Sequence, residues 1–173
     1  MKQFSLSFAL LFALGGCATK TDDPVIQLTD VGFALHLPPA MQQALDSVAP
    51  GFRAVRTTSY RSDVSQAAAA GSGGMPALFA AIGDFDRDGT TDAVVEGTTP
   101  GDSALRVFVV LNGAKPAAVE VARFPTYDAD AVGTYLTGPT GGRSGAFEVV
   151  SYPDSSMSFQ YKDGVFTGGK FGN

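Results

Sequence analysis

Nine residues, Asp84-Phe85-Asp86-Arg87-Asp88-Gly89-Thr90-Thr91-Asp92, concentrate the chemistry of this chain. Aspartates stand at positions 1, 3, 5 and 9 of the segment, with glycine at position 6. A hard divalent cation takes about six to eight oxygen ligands, and alternating aspartates in a tight bend aim their carboxylates at one centre. The glycine permits the sharp reversal, and the residue at position 7, Thr90, is placed to offer its backbone carbonyl. Without a cation, four carboxylates held this close repel one another and raise some of their own pKa values. The segment therefore reads as a cation loop. Calcium is expected over magnesium, because the loop crowds in many protein oxygens and magnesium prefers to keep its water.

A loop of this kind needs elements on both sides to hold its ends. Ala77–Ile82 is a continuous apolar run before it, and the mostly apolar Ala93–Glu96 follows it, so both flanks read as strands. An EF-hand requires helices here and a glutamate at position 12, where Val95 stands. The order strand–DxDxDGxxD–strand instead resembles the calcium loop of integrin-type FG-GAP and VCBS repeats. The residues that carry the likeness are Ile82-Gly83-Asp84-Phe85-Asp86-Arg87-Asp88-Gly89 through Asp92-Ala93-Val94-Val95. The resemblance implies Asp84, Asp86, Asp88 and Asp92 as side-chain ligands and Thr90 as a carbonyl ligand of Ca2+. Arg87 replaces the small residue usual at its place and is expected to face solvent. FG-GAP propellers repeat the motif over several blades of four strands, whereas this chain holds one copy. It is thus similar to small secreted bacterial proteins with a single such loop in a compact β-rich domain.

The string Phe85-Asp86-Arg87-Asp88-Gly89-Thr90 also resembles the FDxDGT signature of haloacid-dehalogenase-like phosphatases. That resemblance implies Asp86 as nucleophile, Asp88 as general acid/base and magnesium as cofactor, in a periplasmic phosphatase. Three features oppose it. Asp84 falls where an apolar strand should still be running, Asp92 has no role, and the chain downstream lacks the helix–strand alternation of a doubly wound parallel sheet.

The N-terminus addresses the chain. Lys2 precedes an apolar stretch, Phe4 to Leu14, of about 11 residues, which suits a signal-peptide core and is short for a bilayer span. It ends in Leu14-Gly15-Gly16-Cys17, which resembles a bacterial lipobox whose cysteine thiol receives a diacylglycerol. An ordinary secretory signal or an uncleaved anchor is the competing reading. Cys17 is the only cysteine, so no disulfide forms within the chain. Ala18 follows it where aspartate would favour inner-membrane retention, so the resemblance implies the periplasmic face of the outer membrane, in a two-membrane host. The expected organisation is signal peptide at 1–16, lipidated cysteine and polar tether at 17–24, and one β-rich domain at 25–173. The formal net charge is −5, and removing the signal takes away a base and no acid. Such a chain is poorly suited to nucleic acid or an anionic membrane surface, so membrane contact should come from the lipid alone.

Within the domain, Val25–Leu37 is expected to hold one or two short strands. Pro38-Pro39 then introduces a helix over 39–48, with Met41, Ala44, Leu45 and Val48 on one face and Pro50-Gly51 as its stop. Gly51–Tyr60 reads as a strand with Phe52, Ala54 and Val55 inward, and Gln66–Gly74 as a flexible low-complexity loop. Ala104–Leu111 is apolar on both faces and should be central; Asn112-Gly113 turns it into Ala118–Phe124. Ala146–Ser151 and Ser156–Tyr161 form a further pair, and Asp163-Gly164 leads into Val165–Thr167. Glycines at 133, 138, 141, 142 and 145 mark a long loop from Tyr127 to Ala146. The expected fold is α+β and mostly β: an antiparallel sheet, a strand–calcium-loop–strand unit and one short N-terminal helix.

Other reactive residues read as structural. His36, the sole histidine, is expected partly buried rather than catalytic. Ser144 sits in a glycine-rich loop and not in a nucleophile elbow. Asp128 and Asp130 form a DxD pair that reads as a solvated loop, with a second weak cation site as the alternative. Tyr127, Tyr135, Tyr152 and Tyr161 fit half-buried sheet positions as well as a recognition surface. The functional expectation is a non-catalytic binding or scaffold lipoprotein, with an envelope protein as its possible partner. The phosphatase using Asp86 and Asp88 is the alternative.

Overall fold

A computed structural model describes residues 22–72, 78–125, 128, 132–138, 145–153 and 155–171. Strands β1 (Val25–Thr29) and β2 (Gly32–His36) form a hairpin, followed by helix α1 (Pro39–Val48). A two-residue strand β3 (Arg53–Ala54) and a 3-10 turn at Thr57–Ser59 lead to helix α2 (Ser62–Ser72). The second half is all strand: β4 (Ala80–Gly83), β5 (Asp92–Thr98), β6 (Leu105–Leu111), β7 (Ala117–Phe124), β8 (Thr134–Thr137), β9 (Ala146–Ser151), β10 (Ser155–Lys162) and β11 (Val165–Phe171).

The strands make two larger sheets, and every pairing between named strands is antiparallel. One runs β3-β5-β6-β7 with β4 also on β5; the other runs β11-β10-β9-β8. The five-stranded sheet is the middle layer. On one face it meets Met41 and Leu45 of α1, Val64 and Ala68 of α2, and Phe33 and Leu35 of β2. On the other, Val94, Val107 and Val109 meet Leu136, Phe147, Val149 and Phe159 of the four-stranded sheet. Strand alternation does this sorting: in β5, Ala93 and Val95 join the helical side while Val94 joins the sheet side. β6 lies between β5 and β7 and is covered on both sides, as its two apolar faces require.

Helix α1 forms where the 39–48 spacing places it, with proline in its first turn and Met41 and Leu45 buried. Four expectations are corrected. Residues 66–72 of the loop expected over Gln66–Gly74 belong to a second helix, Ser62–Ser72: Val64 and Ala68, one turn apart, are buried in the core, and that burial supplies what an isolated alanine run lacks. The strand expected over Gly51–Tyr60 shrinks to Arg53–Ala54, with Ala54 exposed and Val55 buried, because the chain turns at Thr57–Ser59. The long loop before Ala146 contains β8, whose Thr134 and Leu136 alternate inward while Tyr135 and Thr137 are half-buried. His36, at the end of β2, is exposed and not part of the core. Among the strands that flank the cation loop, β4 begins at Ala80; Leu78 and Phe79 precede it as a buried turn.

Candidate metal centre

The aspartate-rich loop joins β4 to β5, which pair directly: Gly83 opposes Asp92 and Ile82 opposes Ala93. The nine-residue segment is thus the closed end of a hairpin, and its ends are pinned by the sheet. Phe85 pins it a second time. Its ring is fully buried and packs edge-on against Phe147, centroids 5.3 Å apart, while Phe147 stacks on Phe159 at 5.2 Å. The backbone passes through the left-handed region at Arg87 (φ 66°) and Gly89 (φ 87°).

This path brings Asp84, Asp86 and Asp88 together. One oxygen from each lies within 4.8 Å of the others, close enough for the group to hold a metal ion. Loop amides meanwhile organise the same carboxylates. Gly89 N–H donates to Asp84 Oδ2 (3.2 Å), Asp88 N–H to Asp86 Oδ1 (3.1 Å), and both Thr90 N–H (2.8 Å) and Thr90 Oγ1–H (2.5 Å) to Asp88 Oδ1. Asp84 Oδ1 is buried and has no hydrogen-bond partner. A buried, unpaired carboxylate oxygen is costly, and beside two more carboxylates it is an acceptor set that a cation satisfies. The Asp86 carboxyl is held above its ordinary pKa, first by burial and then by the charges of Asp88 and Asp84.

Asp92 is used differently. It is fully buried, and its oxygens accept three backbone N–H groups: Phe85 (2.8 Å) and Asp86 (3.3 Å) on Oδ2, and Asn112 (2.8 Å) on Oδ1. Burial raises its pKa to about 6, against the lowering effect of those amides. It ties the start of the loop to the β6–β7 turn, while the other three aspartates make the cluster. Thr90 is half-buried, with its N–H and hydroxyl on Asp88.

Two glycines that read in the sequence as turn residues also pack against the loop. A Cβ at Gly113 would stand 2.8 Å from Asp88 Oδ2, and one at Gly145 would stand 2.6 Å from Arg87 Nε. Arg87 is exposed, as expected, but its side chain crosses Gly145 at the start of β9. The Asn112 side chain donates to the carbonyl of Asp22 (3.2 Å), so the same turn also holds the N-terminal end of the described chain.

Sequence reasoning passed over Glu96. Four residues beyond Asp92 on β5, it is fully buried, and its pKa is pushed up to about 8 by desolvation. Tyr60 Oη–H donates to its Oε1 and Thr134 Oγ1–H to its Oε2 (3.1 Å). The available signal was an acid closing the apolar run Ala93-Val94-Val95 on a strand covered on both faces. Of the remaining candidates, Tyr135, Tyr152 and Tyr161 are half-buried and Asp128 is exposed. Cys17, Tyr127, Asp130 and Ser144 lie outside the described residues.

No protein-family model matches the chain, and the searches of curated proteins and of solved structures gave no match either.

Proposed function

We propose that this chain is a lipoprotein anchored through Cys17 at the periplasmic face of the outer membrane. Its β-rich domain holds a structural Ca2+ at Asp84, Asp86 and Asp88 and acts as a non-catalytic binding or scaffold module. The observation that carries the metal reading is the meeting of three carboxylates around a buried, unpartnered Asp84 Oδ1. The Thr90 carbonyl completes the protein ligands in this reading, and Asp92 braces the loop from beneath. The ion neutralises the cluster and fixes the β4–β5 connection. Binding only the folded state, it stabilises the domain by mass action, about 2.7 kcal/mol at a hundredfold excess over Kd. The anchor rests on the Leu14-Gly15-Gly16-Cys17 string. Among the described residues no helix is long and apolar enough to cross a membrane.

Thermal melts in calcium and in chelator test the metal reading. Wild type should melt several degrees higher with calcium, and the double variant Asp86→Ala/Asp88→Ala should show no such gain. Equal melting of wild type in both conditions rejects it. Membrane fractionation of Cys17→Ser tests the anchor: the variant should leave the membrane fraction. The phosphatase alternative needs a parallel sheet behind Asp86, whereas β4 and β5 pair antiparallel. Magnesium-dependent turnover of a phosphate ester that Asp86→Asn abolishes would replace the scaffold reading.

A further inference from the structure

Glu96, Tyr60 and Thr134 come from three separate pieces of the chain. Glu96 lies in the middle sheet, Tyr60 follows the 3-10 turn, and Thr134 opens β8 of the other sheet. Backbone bonds run alongside. Val55 N–H donates to the Glu96 carbonyl (3.1 Å), Val132 N–H to Ser59 O (2.9 Å), and Leu136 N–H to Leu78 O (2.8 Å). Tyr60 and Val132 form an isolated bridge. The carboxyl therefore sits at the seam where β8 and the Tyr60 segment meet the middle sheet.

We infer that this triad is a proton-operated latch: with Glu96 protonated the seam is closed, and loss of that proton loosens β8 and the Tyr60 segment from the middle sheet.

The chemistry follows from what faces the carboxyl. Among the described residues no ion pair involves it. Arg53 on β3 and Arg56 beyond it are exposed. Arg61 pairs with Asp63 of α2, and Arg106 of β6 pairs with Glu120 of β7. The other titratable groups on the packed elements are His36 of β2, Asp46 of α1, Asp92 of β5 itself, Tyr135 of β8, Glu148 of β9 and Tyr152 after β9, and β4 carries none. Burial raises the Glu96 pKa, and the hydrogen bonds from Tyr60 and Thr134 lower it in part. A neutral acid meets both partners, accepting from Tyr60 while its own proton goes to the Thr134 hydroxyl, which can accept as readily as donate. A carboxylate keeps both bonds but places an uncompensated charge in the core, and admitting water at the seam relieves it.

The sign is definite. The folded pKa of about 8 lies above the ordinary value of 4.5, so the latch stays closed until pH nears 8, while its stabilisation of the fold is complete below about 4.5. Its contribution falls as pH rises toward 8 and is constant beyond. In calcium excess, the wild-type Tm should drop by about 3 °C per pH unit between roughly 5 and 8. Glu96→Gln reproduces the neutral acid, its carbonyl accepting from Tyr60 and its amide donating to Thr134, and should remove most of that slope. At pH 9, amides of residues 132–137 should exchange faster in wild type than in the variant. Should Glu96→Gln not fold, infrared spectra of wild type decide. A protonated carboxyl band present at pH 7 and gone by pH 9.5 supports the latch, and no such band at pH 7 overturns it. Equal pH slopes in wild type and Glu96→Gln overturn it as well.

Discussion

Two carboxyl groups are buried on one strand, four residues apart, and they are satisfied in opposite ways. Asp92 is ringed by three backbone N–H donors from Phe85, Asp86 and Asn112; Glu96 meets two side-chain hydroxyls. Fixed amides can only donate, so they favour the charged form, and burial lifts the Asp92 pKa only to about 6. Hydroxyls can reverse, so they tolerate a proton, and burial carries Glu96 to about 8. At neutral pH the strand therefore bears an ionised brace at the cation end and a neutral one at the seam. Depth of burial and kind of donor act together: Glu96 is the more fully desolvated of the two, and it meets two hydroxyls where Asp92 meets three amides.

The comparison can be broken at several points. Asp92→Ala removes the acceptor for three amides near the core and should cost about 3–5 kcal/mol in urea unfolding, since each stranded buried group costs about 1–3 kcal/mol. A smaller loss there would mean that water replaces the carboxylate without penalty. Next in size is pH. In chelator, the Asp92 contribution is complete below about 4 and is lost as pH rises through about 6, because its folded pKa exceeds the ordinary value of 3.8. Asp92 should contribute a fall of about 1.4 kcal/mol per pH unit in that window, added to that of Glu96 above about 4.5, and Asp92→Asn should remove this share while leaving the Glu96 slope up to about 8 in place. A variant that flattens both would show the two groups to be coupled. Tyr60→Phe deletes one donor to Glu96 and should cost about 1–2 kcal/mol at neutral pH; a loss comparable to that of Asp92→Ala would mean Glu96 is ionised there. The smallest effect belongs to Gly113→Ala. It forces a Cβ toward Asp88 at φ 104° and should cost about 1 kcal/mol while weakening calcium affinity in a titration.

Much of this architecture was legible because it follows periodicity. Met41 and Leu45 announced α1, and the double apolar faces of Leu105–Leu111 announced a central strand. The aspartate spacing announced the cluster, since a tight bend must gather alternate side chains. What escaped depended on contacts between distant segments. Val64 and Ala68 make a helix of 62–72 only because a core waits for them. Thr134 and Leu136 make a strand inside a glycine-rich stretch because β9 pairs with them. Asp92 shares the chemistry of its three neighbours in the motif, yet its orientation is set by Asn112, twenty residues further on. No local pattern could have joined Glu96 to Tyr60 and Thr134, which lie 36 and 38 positions away.

Phe85 has a consequence for how fast an ion bound as proposed would exchange. Between two aspartates of the cluster, its buried ring is held edge-on against Phe147, which itself stacks on Phe159. The bend is thus shaped by the core, so an arriving ion need not order the chain around itself. Capture should then keep pace with the shedding of the ion's own hydration water, and release should vary with carboxylate protonation rather than with opening of the domain.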